Sequence, residues 1–364
     1  KDIVWLNSIH KNIGIYGFLF IALHPVMALL SYGADWFELI LPKQFTFFDI
    51  MVTYGKIGFA IMSITWLTSA IARNRIPYRT WKFLHFFNYL VLPHILIHSL
   101  VIGSVLNTTG LRVYWYFISF LTAALIVIKI GAWIGIGKKG YVVESIKEES
   151  SEIKTFRLKP ESDQIADPLP GQFIYIKLAP FGESHPFTVS GFDRKSKTIQ
   201  ITPKKEGKFT TKLHTELKKG DVVLIDGPYG VFTQEGFHSN THNVFIAGGI
   251  GITPFMEVLR NTKNPITLLY SAQTAQQLTF KDELDDLAKN NKISVHYFLT
   301  RDNKTMHNAT KGRITRESIK DFVKTNAHQQ IFICGPRPFI KAMKQHLSEL
   351  DVNPSKIFAE EFHL

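Results

Sequence analysis

Four apolar runs fill most of the first 140 residues of this chain, at roughly 13–32, 50–72, 83–105 and 113–136. Each is near the ~20 residues with which an α-helix crosses the hydrocarbon core of a bilayer. Strands of soluble sheets are much shorter, and in lipid a helix is one of the two ways a chain can satisfy its own backbone. The runs therefore predict a membrane part of four helices. Beyond about residue 140, charge, Gly and Pro return at the frequency of a soluble protein, and a length of 364 residues leaves room for further domains. The mean hydropathy of +0.03 is the average of these two unlike parts.

Charge sets the direction of the helices. Residues 1–140 hold twelve Lys plus Arg against four Asp plus Glu, so eight of the net +12 sit in the apolar part. Arg73, Arg75, Arg79 and Lys82 lie between the second and third runs, and Lys138 and Lys139 follow the fourth. The loops at 33–49 and 104–112 are nearly uncharged or acidic. By the positive-inside rule the first and third helices run outward, the second and fourth return, and everything after Gly140 is cytoplasmic. A multi-pass protein of the cell membrane is expected, with the lipid bilayer as partner. No Lys/Arg block of the kind that tracks phosphates is present, which excludes a nucleic-acid partner. The single Cys334 excludes an internal disulfide framework and suits a reducing compartment. The chain opens on Lys1 with no visible signal peptide, and no regulatory protein subunit is evident.

Two of the runs bring histidines at matched spacing: His10, just ahead of the first run, with His24 inside it, and His85 with His98 in the third. An imidazole in hydrocarbon costs free energy unless a metal, a hydrogen bond or water satisfies it. Because the two helices are parallel, His10 is level with His85 on the inner side, and His24 with His98 on the outer side. Fourteen residues separate the first two by about 21 Å and return them to within roughly 40° of one face. Thirteen residues leave His85 and His98 about 140° apart in an ideal helix. Pro93 lies between them and is expected to kink or rewind the turn enough to supply the rotation. His94 competes as the outer ligand, but its offset from His85 gives a rise of only about 14 Å. His98 is therefore preferred. Zinc would recruit Cys, carboxylate or further His in one compact cluster, whereas a haem needs one imidazole on each face of a flat macrocycle. Two b-type haems are expected, held by His10 with His85 and by His24 with His98.

The run Trp81-Lys82-Phe83-Leu84-His85-Phe86-Phe87-Asn88-Tyr89 resembles the pattern at the first haem histidine of ferric-reductase-type membrane domains. That superfamily includes the NADPH oxidases, the ferric reductases and the haem subunit of bacterial methionine sulfoxide reductase. The fourteen-then-thirteen spacing is similar to that of the NADPH oxidases. The resemblance implies six helices with haem ligands on the third and fifth, so two more would precede the first one here.

From residue 141 to about 237, short β-rich runs separated by turn residues predict a small antiparallel barrel. In it, His185-Pro186-Phe187-Thr188-Val189-Ser190 resembles the flavin-binding motif of NADPH oxidases, and Gly207-Lys208-Phe209-Thr210 the flavin phosphate loop of ferredoxin reductase-like domains. Backbone N–H groups and Thr hydroxyls at a helix start can bind a pyrophosphate. From about Asn243 strands and helices alternate. The strand Asn243-Val244-Phe245-Ile246-Ala247 runs into Gly248-Gly249-Ile250-Gly251-Ile252-Thr253-Pro254, a glycine turn that brings backbone amides to phosphate at a helix N-terminus. Ile331-Phe332-Ile333-Cys334-Gly335-Pro336 resembles the family's strand end beside the nicotinamide. Arg301 is placed to meet a 2′-phosphate, which favours NADPH and leaves NADH open. In this family a C-terminal aromatic stacks on the flavin, and Phe362 resembles it, although His363 and Leu364 follow it here.

The expected organisation is multidomain: a transmembrane haem-binding helical domain (1–138), an antiparallel β-barrel FAD domain (139–237) and a Rossmann-like α/β NAD(P)H domain (238–364). Electron counting then gives the route. NADPH delivers two electrons as hydride and a haem takes one at a time, so FAD must lie between them. Cys334 and Thr188 position nicotinamide and flavin rather than move protons. With both axial positions held by His, dioxygen as acceptor would be reduced to superoxide at the haem edge, and the same edge could serve a ferric chelate or a quinone. The expected activity is an NADPH oxidase, with a ferric reductase as the alternative.

Overall fold

The computed structural model describes residues 3–32, 37, 46–73, 75–104, 106, 110–180, 182–233, 242–262, 264–290, 293–302, 308–323 and 329–361. The chain divides into two compact units, Lys1–Ala132 and Trp133–Leu364.

The first unit contains α1 (Ile3–Tyr32), α2 (Phe47–Ala70), α3 (Tyr78–Phe86), α4 (Asn88–Ile102) and α5 (Leu111–Ile134). Among the described residues four stretches are long and apolar enough to cross a membrane: Ile9–Ser31, Phe47–Ala70, Thr80–Ile102 and Leu111–Ile134. Their outer faces are bare; Phe20 is 74% and Val113 73% exposed. On a water-soluble monomer such a surface would aggregate, whereas in lipid it is solvated. The start of α2 is set by a capping box: Thr46 Oγ1 accepts from Asp49 N–H at 3.1 Å, while the Asp49 carboxylate accepts from Thr46 N–H at 3.1 Å. Helix α2 packs chiefly on α4, and Trp115 of α5 donates its indole N–H to Ser99 Oγ of α4 at 2.6 Å.

The third span departs from the sequence expectation in one respect. Pro93 sits inside the unbroken α4, and the irregular turn is upstream, at Phe87. There Phe87 N–H donates to Leu84 O at 3.1 Å and Leu90 N–H to Phe87 O at 2.9 Å, three-residue bonds in place of four-residue ones. Steps tightened toward 3₁₀ pitch turn by about 120° in place of about 100°, which moves His98 toward the phase of His85. The carbonyl that the Pro93 ring crowds is that of Tyr89, four residues back, and α4 stays helical there; the tightened turn lies further upstream, where α3 ends and α4 begins.

The second unit opens with a closed antiparallel barrel in the order β1 (Lys139–Ser150), β2 (Ile153–Pro160), β5 (Thr198–Ile201), β4 (His185–Asp193), β3 (Phe173–Lys177), β6 (Val222–Tyr229). Its interior is filled at a period of two: Tyr141 and Val143, Phe156 and Leu158, Ile174 and Ile176, Ile199 and Ile201, Val223 and Ile225. Helix α6 (Lys208–Glu216) contributes the buried Leu213.

A six-stranded parallel sheet follows, ordered β10 (Ala309–Lys311), β9 (Ile293–Leu299), β8 (Ile266–Ala272), β7 (Asn243–Gly248), β11 (Ile331–Gly335), β12 (Ile357–Glu361). Helices α7 (Thr253–Asn261), α8 (Lys281–Lys289), α9 (Arg316–Lys320) and α10 (Arg337–Ser348) complete it. Every residue of β7 is buried, with Phe245 and Ala247 in one core and Val244 and Ile246 in the other, as a sheet covered on both faces requires. Strand order reverses between β7 and β11. That reversal opens a crevice at the carboxyl ends of the strands, where α/β sheets bind ligands.

Candidate functional site

In the membrane unit the two histidine pairs are brought together. The rings of His10 and His85 have centroids 6.0 Å apart, and those of His24 and His98 are 6.3 Å apart, with the planes at 84° and 80°. Two metal–nitrogen bonds of about 2 Å and two imidazole half-widths of about 1.2 Å would separate such centroids by roughly 6.4 Å. Among the described residues no group of three or more His, Cys, Asp or Glu could hold a metal. Pairs, not clusters, are the donor set that suits a macrocycle supplying its own nitrogens.

The rings are oriented by groups around them. His98 donates its Nδ1–H to Met51 O of α2 at 2.9 Å, which leaves Nε2 for a ligand. Gly55 makes room for this: a Cβ there would lie 2.7 Å from His98 Nδ1. His85 Nδ1 lies 3.1 Å from Ser69 Oγ and 3.4 Å from Asn88 Nδ2, and Trp81 stacks on the ring at 4.9 Å. His94, the competing residue, is bonded through Nδ1 to Leu90 O of its own helix at 2.7 Å and faces Tyr54.

At the sheet crevice, β7 ends on Gly248 and a 3₁₀ turn, Gly249–Ile252, leads into α7, which starts on Thr253 and Pro254. Gly249 has a left-handed φ of +56°. At Gly251 a Cβ would lie 2.3 Å from Cys334 O, so the turn can approach β11 this closely only without a side chain. Gly248 and Gly335 both border the ring of Phe339, where a Cβ on either would lie 2.8 Å from the ring. Sequence reading missed Phe339, although an aromatic four residues after Gly335 was available as a signal. The crevice has a volume of about 250 Å³, lined by Gly248, Gly249, Ser271, Thr300, Pro336 and Phe339 among others. Arg301 is exposed one residue beyond Thr300, its backbone N–H donating to Gln273 O at 2.8 Å.

Cys334 is fully buried, and burial together with the neighbouring Glu360 pushes its thiol well above the ordinary range. It is thus a neutral, shape-filling group and not a thiolate. Glu360, its register partner on β12, escaped the sequence reading. Burial pushes its carboxyl up to about 7, and its Oε2 is buried without a hydrogen-bond partner among the described residues. Phe362 lies outside the described residues.

On the barrel, β4 and α6 bring His185, Phe187 and Phe209 together. His185 stacks on Phe209 at 4.0 Å, and Phe187 follows at 5.9 Å. Pro186 is exposed and Thr188 is buried opposite Phe173. Thr210 Oγ1 accepts from the N–H groups of Glu206 and Gly207, each at 2.9 Å, so its hydroxyl closes the turn. That leaves the first-turn amides of α6 as the groups a phosphate would meet. Phe173, Tyr175 and Tyr229 form an aromatic patch nearby that the sequence reading did not single out. Tyr229 donates to Asp226 Oδ1 at 2.7 Å, and that bond, aided by burial, pushes its hydroxyl up to about 12.

Three family models match the chain in order: a ferric reductase like transmembrane component over residues 4–96, an FAD-binding domain over 151–233 and an oxidoreductase NAD-binding domain over 245–345. Flavohemoprotein A of Dictyostelium discoideum is 32% identical over 264 residues, which cover 64% of this chain and 62% of that protein. The chain thus matches less than two thirds of that relative's length. Among solved structures, the flavohem-like FAD/NAD-binding domain of nitric oxide dioxygenase from Vibrio cholerae aligns with a TM-score of 0.56 and 23% identity, over 62% of this chain and 98% of that one. A flavohemoglobin from Malassezia yamatoensis with bound FAD and heme aligns at 0.56 and 19%, over 89% and 90%. These structural likenesses establish the fold of the second unit's domains. A ferric-reductase-like membrane part joined to FAD- and nicotinamide-binding domains makes this chain a transmembrane flavin-dependent oxidoreductase.

Proposed function

We propose that the chain is a transmembrane NAD(P)H oxidase that carries electrons from cytoplasmic NADPH through FAD and two haems to dioxygen on the outer side, forming superoxide. The observation that carries this reading is the pair of bis-histidine sites with centroids 6.0 and 6.3 Å apart. His10 and His85 would hold the inner haem, His24 and His98 the outer. When bound, the flavin accepts hydride and releases electrons singly, and the haem irons relay them. The residues themselves bind and orient. His185, Phe187 and Phe209 offer a flat surface to the flavin nucleotide, the turn at Gly249–Ile252 offers amides to the nicotinamide dinucleotide, and buried Cys334 shapes the crevice without moving a proton. The flavohemoprotein relatives, flavin and haem proteins by name, support the joining of those two groups. A second reading, a ferric reductase on the same electron path, is favoured by the description of the matched transmembrane family.

Purified protein loaded with FAD and haem is expected to reduce cytochrome c on addition of NADPH, and superoxide dismutase is expected to suppress that reduction. Flavin-dependent iron reduction that persists without oxygen, and without any dismutase-sensitive signal, would favour the ferric reductase. No reduced-haem absorbance on adding NADPH and FAD would reject both. Arg301 is assigned to the 2′-phosphate. Arg301→Ala should raise KM for NADPH about 10- to 100-fold, the worth of a charged hydrogen bond, and leave NADH unaffected. Equal effects on both nucleotides would remove that assignment.

A further inference from the structure

Among the described helices and strands, the packing of α7 on β4 is the most extensive contact between the barrel and the sheet domain. These two elements carry the two sites. Helix α7 begins at the glycine turn of the nucleotide crevice, and β4 begins with the His185–Ser190 flavin motif. We infer that Arg260 and Glu257, at the far end of α7, are positioning residues that fix the flavin against the nicotinamide by gripping β4.

Four local features converge on that grip. Ser190 is the extra residue of a register shift between Val189 and Gly191, which removes it from the ladder with β5. Its carbonyl, released by the bulge, accepts a hydrogen bond from Arg260 Nη1. Gly191 follows, and here the glycine serves space: a Cβ would lie 2.7 Å from Arg260 Nη1 and 2.8 Å from Gln200 Oε1. The guanidinium is in turn held by both oxygens of Glu283 on α8, Nε to Oε1 at 2.6 Å and Nη2 to Oε2 at 3.0 Å. One turn earlier on α7, Glu257 Oε2 accepts from Phe192 N–H of β4 at 3.2 Å. The side chains of Arg260 and Glu257 are only 23% and 12% exposed. The bidentate partner Glu283 is 39% exposed, and it is the two-point grip on a mostly buried guanidinium that keeps a fixed geometry.

The mechanical consequence follows from element rise. About 13 Å of helix separates Gly251 from Arg260, and about 7 Å of strand separates Ser190 from Thr188. The two sites are thus joined through two stiff elements and one clamp. A cleft of about 460 Å³ lies beside the clamp, with Arg157, Asp193 and Gln200 among its walls, so this side of the joint is open and not filled by packed side chains. In the step being positioned, the C4–H bond of dihydronicotinamide breaks and its hydride forms an N–H bond on the flavin. The nicotinamide is oxidised by two electrons and the flavin reduced by two. That transfer needs near-contact geometry, and a displacement of about 1 Å can cost on the order of 100-fold in rate.

The inference rests on the flavin and nicotinamide reading of the two sites, and the experiment separates the two. Full-length protein in detergent, loaded with FAD, is mixed anaerobically with saturating NADPH or NADH, and flavin bleaching is followed in single turnovers with protiated and C4-deuterated nucleotide. Arg260→Met and Gly191→Ala are expected to slow the isotope-sensitive bleaching by about 10- to 100-fold. Dissociation constants for FAD and nucleotide should change less than about threefold, well under the effect on rate. Arg260→Lys, which still reaches Ser190 O but cannot grip Glu283 with both nitrogens, should fall between. Wild-type bleaching rates in both variants would overturn the inference, as would a rate loss matched by equal loss of bound FAD. Absence of bleaching in the unsubstituted protein would overturn the functional reading and the inference with it.

Discussion

Replacing Gly55 by Ala tests the proposed outer haem site without touching either proposed ligand. The position is in the middle of α2 with ordinary helical backbone, where Ala is the better helix former, so the substitution carries no intrinsic folding cost. The added Cβ would lie 2.7 Å from His98 Nδ1 and 2.8 Å from its Cε1. Since comfortable contact begins near ~3.4 Å, the imidazole must withdraw by about 0.7 Å. That movement lengthens the 2.9 Å bond to Met51 O, to about 3.6 Å where the ring withdraws along the bond, and so weakens or breaks it. Losing an outer-shell partner of a metal-bound histidine typically weakens binding about 10- to 100-fold, or about 1.4 to 2.7 kcal/mol. The haem-to-protein ratio, read from the alkaline pyridine spectrum after gel filtration, should fall from two toward one. His98→Leu should give one haem outright and His94→Leu should keep two. Retention of two haems by both Gly55→Ala and His98→Leu would refute the reasoning, and loss of one in His94→Leu would transfer the ligand role to His94.

Glu360 makes stability pH-dependent. Its carboxyl is pushed from the ordinary range to about 7, so the folded state keeps a proton that the unfolded chain gives up near pH 4.5. This contribution is fully present below that value and is lost as pH rises through about 7. Thermal midpoints of wild type and Glu360→Gln should therefore diverge between pH 5 and 8 in favour of the variant, and a constant difference would count against the burial argument. Gly251→Ala places a Cβ 2.3 Å from Cys334 O, a backbone atom that cannot swing aside. Overpacking there should cost about 1 to 3 kcal/mol, visible as a lowered midpoint with weakened nucleotide binding; an unaltered midpoint would show that the turn has more room than its geometry allows. Phe209→Leu removes the ring stacked 4.0 Å from His185. An aromatic pair is worth about 0.5 to 1.5 kcal/mol, so FAD affinity measured by flavin fluorescence should drop about 2- to 10-fold, and unchanged affinity would take Phe209 out of the flavin site.

The architecture was largely legible in the chain. Membrane helices announce themselves by length and hydrophobicity, barrel strands by alternation, and the nucleotide fold by strands that end in glycine turns. All of these are local patterns, and each repeats along the sequence with the period of the element it builds. Geometry that comes from a segment's own period was legible for the same reason: the meeting of His10 with His85 and of His24 with His98 by spacing, and the turn at Gly249 and Gly251 by its strand-to-helix context.

Helix phase and contacts across elements were decided by the tertiary structure. Pro93 marked the third span as irregular, but α4 runs through it unbroken, and the irregular turn falls at Phe87, where two helices meet. Glu360 is an unremarkable acidic residue near the C-terminus until parallel pairing sets it beside Cys334. Gly55 and Gly191 sit in segments with no glycine motif, and only the approach of His98 and of Arg260 explains them. Periodicity records how a segment folds on itself. Which side chain meets which across a register or a helix crossing depends on residues far apart in the chain, and no local pattern encodes it.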